Sequence, residues 1–173
     1  MTSAVRRIRE GGYHSFSVRE IADELGIKSA SIYYHFPSKE ALGVSVAEDY
    51  TRRFLEVLGK PSEHEQPIKH FLDAFHQALE TQKAACLCGI LTAESGRLPD
   101  PVREALAAFT EGNLSWLEEA LRQERPDWTD EKVSETAPVI FAAMEGAMTF
   151  SAMGHQPIHL GTVSQWILGV VET

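Results

Sequence analysis

The sequence predicts an all-α protein, with a three-helix helix-turn-helix domain over residues 1–46 and a larger helical domain over 47–173. Three observations carry this. No segment sustains the period-two alternation and β-branched enrichment of a strand. Apolar residues recur instead at i, i+3, i+4 and i+7, as in Val18, Ile21, Ala22 and Leu25. The punctuation is helical too: serines at starts, glycines after ends, prolines at boundaries.

Residues 4–10 form a short first helix, closed by Gly11-Gly12. Ser17 with Glu20 three residues on is a capping box that opens the second helix, and Gly26 ends it. Lys28–His35 is a third short helix, stopped because the residue before Pro37 is pushed out of helical geometry. Ser38 caps a long helix whose Leu42, Val46, Tyr50, Phe54 and Val57/Leu58 follow one face, and "GKPSEHEQP" at 59–67 breaks the chain. Ile68, Phe71, Leu72, Phe75 and Leu79 mark the next amphipathic helix, and "CLCGILTAE" is a short apolar segment. Asp100 as cap and Pro101 at the first helical position begin a helix to about Arg122. Two last helices cover 130–153, with a kink expected at Pro138, and 158–171.

Hydrophobic content of 43% and charged content of 24% are ordinary for a globular protein. No apolar run approaches the roughly 20 residues that span a bilayer, and the start lacks a signal-peptide pattern. The net charge of -9 taken whole speaks against a nucleic-acid binder. It is unevenly spread: residues 1–50 hold six Lys/Arg against seven Asp/Glu, residues 51–173 ten against eighteen. The acidity belongs to the later part. Cys86 and Cys88 sit too close for an ordinary structural disulfide, which makes a reducing cytoplasm the expected location.

Two short helices joined at Gly26 are the ingredients of a helix-turn-helix, whose second helix enters the DNA major groove. By itself such a corner is common in all-helical proteins. Here the second helix carries Lys28, Ser29, Ser31, Tyr33, Tyr34 and His35, nearly all hydrogen-bonding, while Ile32 and Phe36, four apart, share a core face.

The stretch "YHSFSVREIADELGIKSASIYYHFPSKEALGVSV", residues 13–46, resembles the DNA-binding segment of the TetR/AcrR family of bacterial regulators. The likeness is carried by Gly12-Tyr13, Ser17-Val18-Arg19-Glu20-Ile21-Ala22, Leu25-Gly26-Ile27, Tyr33, His35-Phe36 and Ser38-Lys39-Glu40-Ala41-Leu42. It implies that Ser17, Tyr33, His35 and Lys39 grip phosphates of double-stranded operator DNA. Lys28, Ser29, Ala30, Ser31 and Tyr34 then face base edges, Ala30 suited to a thymine methyl. The near-neutral charge of this domain means few phosphate contacts per subunit, so a homodimer on two half-sites is expected. One departure lies at the first helix, which the family has longer and preceded by a basic arm: here the sequence opens on "MTSAVRRIRE", so either this helix is truncated or further residues precede Met1, and Arg6, Arg7 and Arg9 are partial electrostatic replacements for the arm.

The resemblance further implies a second domain that holds a small-molecule effector and the dimer interface. For the effector, Phe71, Phe75, Phe109, Trp116, Met144 and Met148 are the large apolar candidates, equally readable as plain core. Glu145 and Thr149, beside the methionines, are either polar anchors or surface groups. For the interface, small residues at Ala142, Ala143, Gly146 and Ala147 allow close helix approach, and Trp166, Ile167, Val170 and Val171 complete a four-helix contact across a two-fold axis.

Cys86-Leu87-Cys88-Gly89 resembles a branch of the same family in which a cysteine before a similar Leu-x-Gly senses electrophiles or oxidants; the competing reading is a small buried hydrophobe. His155 and His159, four apart around Pro157, lack a carboxylate partner, so no metal is expected, and no cofactor. The sequence lacks a G-x-S-x-G elbow, a phosphate-cradling glycine loop, H-E-x-x-H and C-x-x-C, so no catalytic residue is assigned. A ligand-responsive repressor is the leading reading. A repressor sensing oxidants through Cys86, and a helical protein-binding adaptor, are the alternatives.

Overall fold

The computed structural model describes residues 1–154 and 158–173. Among them are nine α-helices and no strand: α1 (Thr2–Gly11), α2 (Val18–Leu25), α3 (Ser29–His35), α4 (Lys39–Leu58), α5 (Pro67–Gln82), α6 (Leu87–Ala93), α7 (Asp100–Glu124), α8 (Asp130–Ala152) and α9 (Leu160–Glu172). The fold is all-α, as the periodicity predicts. None of these helices is long and apolar enough to cross a membrane.

Two compact units divide the chain: Met1–Arg53 with Leu87–Phe109, and Phe54–Cys86 with Thr110–Thr173. In the first, Ala4 and Ile8 of α1, Val18, Ile21 and Ala22 of α2, Ile32 of α3, and Leu42 and Val46 of α4 are buried. Burying side chains of this size contributes about 1.5–3 kcal/mol each for the larger ones. The capping box forms at Ser17, whose hydroxyl accepts the Glu20 N–H while the Glu20 carboxylate accepts the Ser17 N–H at 2.8 Å. That reciprocal pair holds the Glu20 carboxyl below its usual range, chiefly through the Ser17 backbone. Gly26 closes α2 at φ 66, a left-handed turn that glycine enters without steric cost.

Leu25 departs from expectation. It is 54% exposed rather than part of the apolar face. It occupies the last position of α2, where, with Ile21, Ile27, Ile32 and Met1, it lines an open cleft of about 180 Å³.

The segment 87–109 joins this unit through α6, which packs on α1. The backbone N–H of Tyr13 donates to the Glu94 carboxylate at 2.8 Å, and His14 Nε2 lies 3.2 Å from the Arg97 carbonyl. Gly12 stands at φ 79, and a Cβ there would sit 1.9 Å from Glu94 Oε1. The close approach of that carboxylate needs a residue without a side chain.

In the second unit α5 packs on α8 and α9, and α8 on α9. Its core includes Ile68, Phe71, Leu72, Phe75, Leu117, Leu121, Ile140, Met144 and Ile167. Ring contacts link Phe54 to Phe75 (5.3 Å), Phe75 to Phe71 (5.2 Å) and Phe71 to Trp116 (5.6 Å). Trp116 Nε1 donates to the Gly59 carbonyl at 2.8 Å, so the buried indole has its partner. Helix α8 runs through Pro138 without interruption.

Candidate nucleic-acid interface and effector region

Helix α3 is seven residues long and carries two kinds of side chain. Ile32 is buried and Phe36 half-buried, while Lys28, Ala30, Ser31, Tyr33, Tyr34 and His35 are exposed and Ser29 is partly so. Tyr33 is 47% exposed and Tyr34 86%. A phenol ring left 86% in water gains nothing from its own fold, so its place on α3 is not explained by packing. The structure thus gathers these side chains on one short helix anchored through Ile32.

Ser17 and Lys39 flank that helix in sequence. The Ser17 hydroxyl oxygen is engaged in the capping box, which leaves its proton available to a phosphate. Lys39 opens α4, where the Ser38 hydroxyl accepts the Ala41 N–H at 3.0 Å. The Lys39 ammonium lies 4.8 Å from the Tyr13 ring centroid and 4.6 Å from that of Phe16. Burial lowers its pKa, with Glu20 acting the other way. Both rings are buried, so they form a fixed seat that orients the ammonium. Sequence reasoning named Lys39 but missed this seat.

The arginines of α1 do other work than an arm would. Arg6 pairs with Glu10 at 3.2 Å and Glu24 at 2.8 Å, and Arg7 with Glu24 at 3.1 Å. Arg9 lies 5.7 Å over the Tyr50 ring. Their charges tie α1 to α2 and to α4.

Of the six apolar effector candidates, all buried, Phe109 belongs to the first unit, 5.8 Å from the Tyr50 ring. Phe71, Phe75, Trp116, Met144 and Met148 belong to the second. The Ser164 hydroxyl donates to the Leu160 carbonyl at 2.9 Å and lies 3.0 Å from His76 Nε2 and 3.7 Å from the Met144 sulfur. Glu145 is the unusual group: both carboxylate oxygens are shut off from solvent, and the group set against them is the weakly donating, uncharged Cys86 thiol. Burial pushes its carboxyl up to about 7, with the Cys86 thiol acting the other way. Thr149 is exposed and donates to the Glu145 carbonyl at 2.9 Å.

Cys86 is 2% exposed and Cys88 is buried as well. A thiol this deeply buried is shielded from reagents in solution, whereas a sensing cysteine needs access. His155 lies outside the described residues, and His159 precedes α9 at its N-terminal cap. Among the described residues no group of three or more His, Cys, Asp or Glu is placed to hold a metal ion.

On α8 and α9, Val139, Trp166 and Val170 are exposed and line a groove of about 270 Å³ with Glu135, Thr136 and Ile140. Trp166 is 62% exposed, while Ile167 and Val171 beneath it are buried. The apolar surface named for the interface therefore splits into an outer row and a core row.

The family model described as bacterial regulatory proteins, tetR family, matches residues 1–46. The chain is 28% identical over 159 residues to the HTH-type transcriptional regulator LmrA of Bacillus subtilis, covering 87% of this chain and 83% of that one. It is 26% identical over 131 residues to the HTH-type transcriptional repressor KstR2 of Mycobacterium tuberculosis, covering 73% of this chain and 60% of that one. Among solved structures, a TetR transcriptional regulator from Legionella pneumophila superposes with a TM-score of 0.88 at 28% identity, covering 98% and 93% of the two chains.

Proposed function

Because the chain belongs to the TetR family of bacterial regulatory proteins, and is a DNA-binding transcriptional regulator rather than an enzyme, we propose that it is a repressor. It binds a palindromic operator as a homodimer and is released by a small-molecule effector. The observation that carries the reading is the exposed set on α3, Tyr34 above all, held by the buried Ile32.

Lys28, Ser29, Ala30, Ser31 and Tyr34 read base edges, while Ser17, Tyr33, His35 and Lys39 hold phosphates. One such module, nearly neutral in charge, makes few phosphate contacts, so useful affinity comes from two modules on half-sites about 34–36 Å apart. The outer apolar row of Val139, Trp166 and Val170 supports pairing through α8 and α9.

Effector binding in the second unit, among Phe71, Phe75, Trp116, Met144 and Met148, favours a dimer geometry whose α3 helices no longer meet successive major grooves. The burial of Cys86 beside Glu145 supports this reading over thiol sensing. Selection from a random duplex library tests it. Recovery of a palindrome with two half-sites supports the proposal, and recovery of no enriched sequence opposes it.

A further inference from the structure

Resting on the reading of the second unit as an effector domain, we propose that the Glu145 carboxylate is the recognition group for an effector carrying a protonated nitrogen, an organic cation of the amine or amidine class.

Glu145 stands on α8 between Met144 and Met148, in the run "FAAMEGAMTF" that is otherwise short of charge. Its oxygens have no exposed surface, and the group set against them is the Cys86 thiol, a weak and uncharged donor. A buried carboxylate without a cation or donors costs several kcal/mol, and proteins ordinarily supply a partner. Ser164, whose hydroxyl lies 3.7 Å from the Met144 sulfur, shows the ordinary case, satisfied by the Leu160 carbonyl with His76 at its side. The Cys86 thiol acts on Glu145 but brings no positive charge. The cation is the missing component of this arrangement.

A ligand ammonium meets the need better than a neutral donor. It supplies Coulomb attraction in a low-dielectric surrounding together with charge-assisted hydrogen bonds, each stronger than its neutral counterpart. Met144 and Met148, buried on the same helix, carry flexible and polarizable thioethers, suited to the apolar part of an amphiphilic amine. An anionic effector fails on the same grounds, since its charge would face a carboxylate in a dry site.

The test uses the full-length wild-type chain and Glu145→Gln at pH 8, where the carboxyl is ionised. Thermal shift and titration calorimetry are run with primary amines from butyl to dodecyl, and with the matched alcohols and carboxylates. The expected result is a rise in melting temperature with the longer amines, exceeding that with the alcohol of equal length. Amine affinity should be at least tenfold weaker in Glu145→Gln, while any alcohol binding stays unchanged. Glu145→Ala serves as a second variant and should lose the amine preference likewise. Equal shifts for amines and alcohols, a preference for carboxylates, an amine effect that survives Glu145→Gln, or no shift with any amine each overturn the proposal. Operator binding measured without ligand separates this from the wider reading. A chain that binds its operator but ignores amines contradicts only the cation assignment, and one that binds no operator contradicts the regulator reading itself.

Discussion

The Glu94 carboxylate accepts the backbone N–H of Tyr13 at 2.8 Å, joining two positions 81 residues apart within the first unit. The contact depends on Gly12, whose φ of 79 and lack of a side chain let the carboxylate come close. Tyr13 in turn forms half of the aromatic seat under Lys39. A carboxylate distant in sequence thus braces the loop that leads into α2.

That relationship has a measurable signature. Glu94→Ala leaves the Tyr13 N–H unsatisfied and is expected to cost about 1–3 kcal/mol in chemical denaturation. Gly12→Ala is expected to cost a similar or larger amount, because the new methyl collides with Glu94 in a backbone region costing about 1–3 kcal/mol for non-glycine residues. In the double variant the collision is gone, so its loss should fall clearly short of the sum of the singles. Additive losses would show that the glycine and the carboxylate act independently.

Tyr34→Ala separates function from folding. A side chain 86% exposed contributes little to the core, so stability should change by less than about 0.5 kcal/mol. Operator affinity should fall by tenfold or more, as a lost base contact is worth about 1–3 kcal/mol. Fluorescence anisotropy with the selected operator reads the second effect and thermal unfolding the first. A variant that binds as tightly as wild type removes Tyr34 from the interface.

Lys39→Met keeps an apolar stem over the Tyr13 and Phe16 rings but removes the charge. Binding should weaken to a similar degree on all sequences, and the slope of log affinity against log salt should become shallower by about 1 per site. A loss confined to one base position would assign Lys39 to base reading instead.

Much of the first unit was legible because its signals are local. Ser17 and Glu20 are three apart, Gly26 ends its own helix, and the resemblance of residues 13–46 is a continuous string. Leu25 misled because periodicity says which face a residue shares, not where a short helix ends. Glu94 was invisible for a different reason: a pairing across 81 residues leaves no pattern in either segment. The Tyr13 and Phe16 seat was hidden likewise, since aromatic residues read as core. Glu145 did leave a trace, an acid inside an apolar methionine-rich run, but only its surroundings tell a buried carboxyl from a surface one.

For dimerisation, Trp166→Ala and Val139→Glu act on exposed positions of the α8–α9 groove. Sedimentation should show a shift toward monomer, with far-ultraviolet helicity retained. An unchanged dimer would place the interface elsewhere.

The Glu145 carboxyl sets a pH dependence whose sign is fixed. Its pKa rises from 4.5 in the unfolded chain to about 7 in the folded one, so the native state binds the extra proton between those values. Stability from this group is therefore lost as pH rises from 4.5 through 7, and the penalty is complete above 7. The Cys86 thiol is the titratable group that acts on it, in the opposing sense. Glu145→Gln should stabilise the unliganded protein by about 1–3 kcal/mol at pH 8 and by little near pH 4.5. The difference between the two chains, measured by denaturation at each pH, checks this. A variant less stable than wild type at pH 8 would mean the carboxylate is satisfied.

The most direct test of the central claim, that α3 reads a specific operator, is the salt dependence of affinity for the selected palindrome and for a scrambled duplex. For wild type the palindrome should bind at least a thousandfold more tightly, with both affinities falling as salt rises. In Tyr34→Ala the gap should narrow by tenfold or more. Equal affinity of wild type for the two duplexes, or a gap untouched by Tyr34→Ala, would contradict the account.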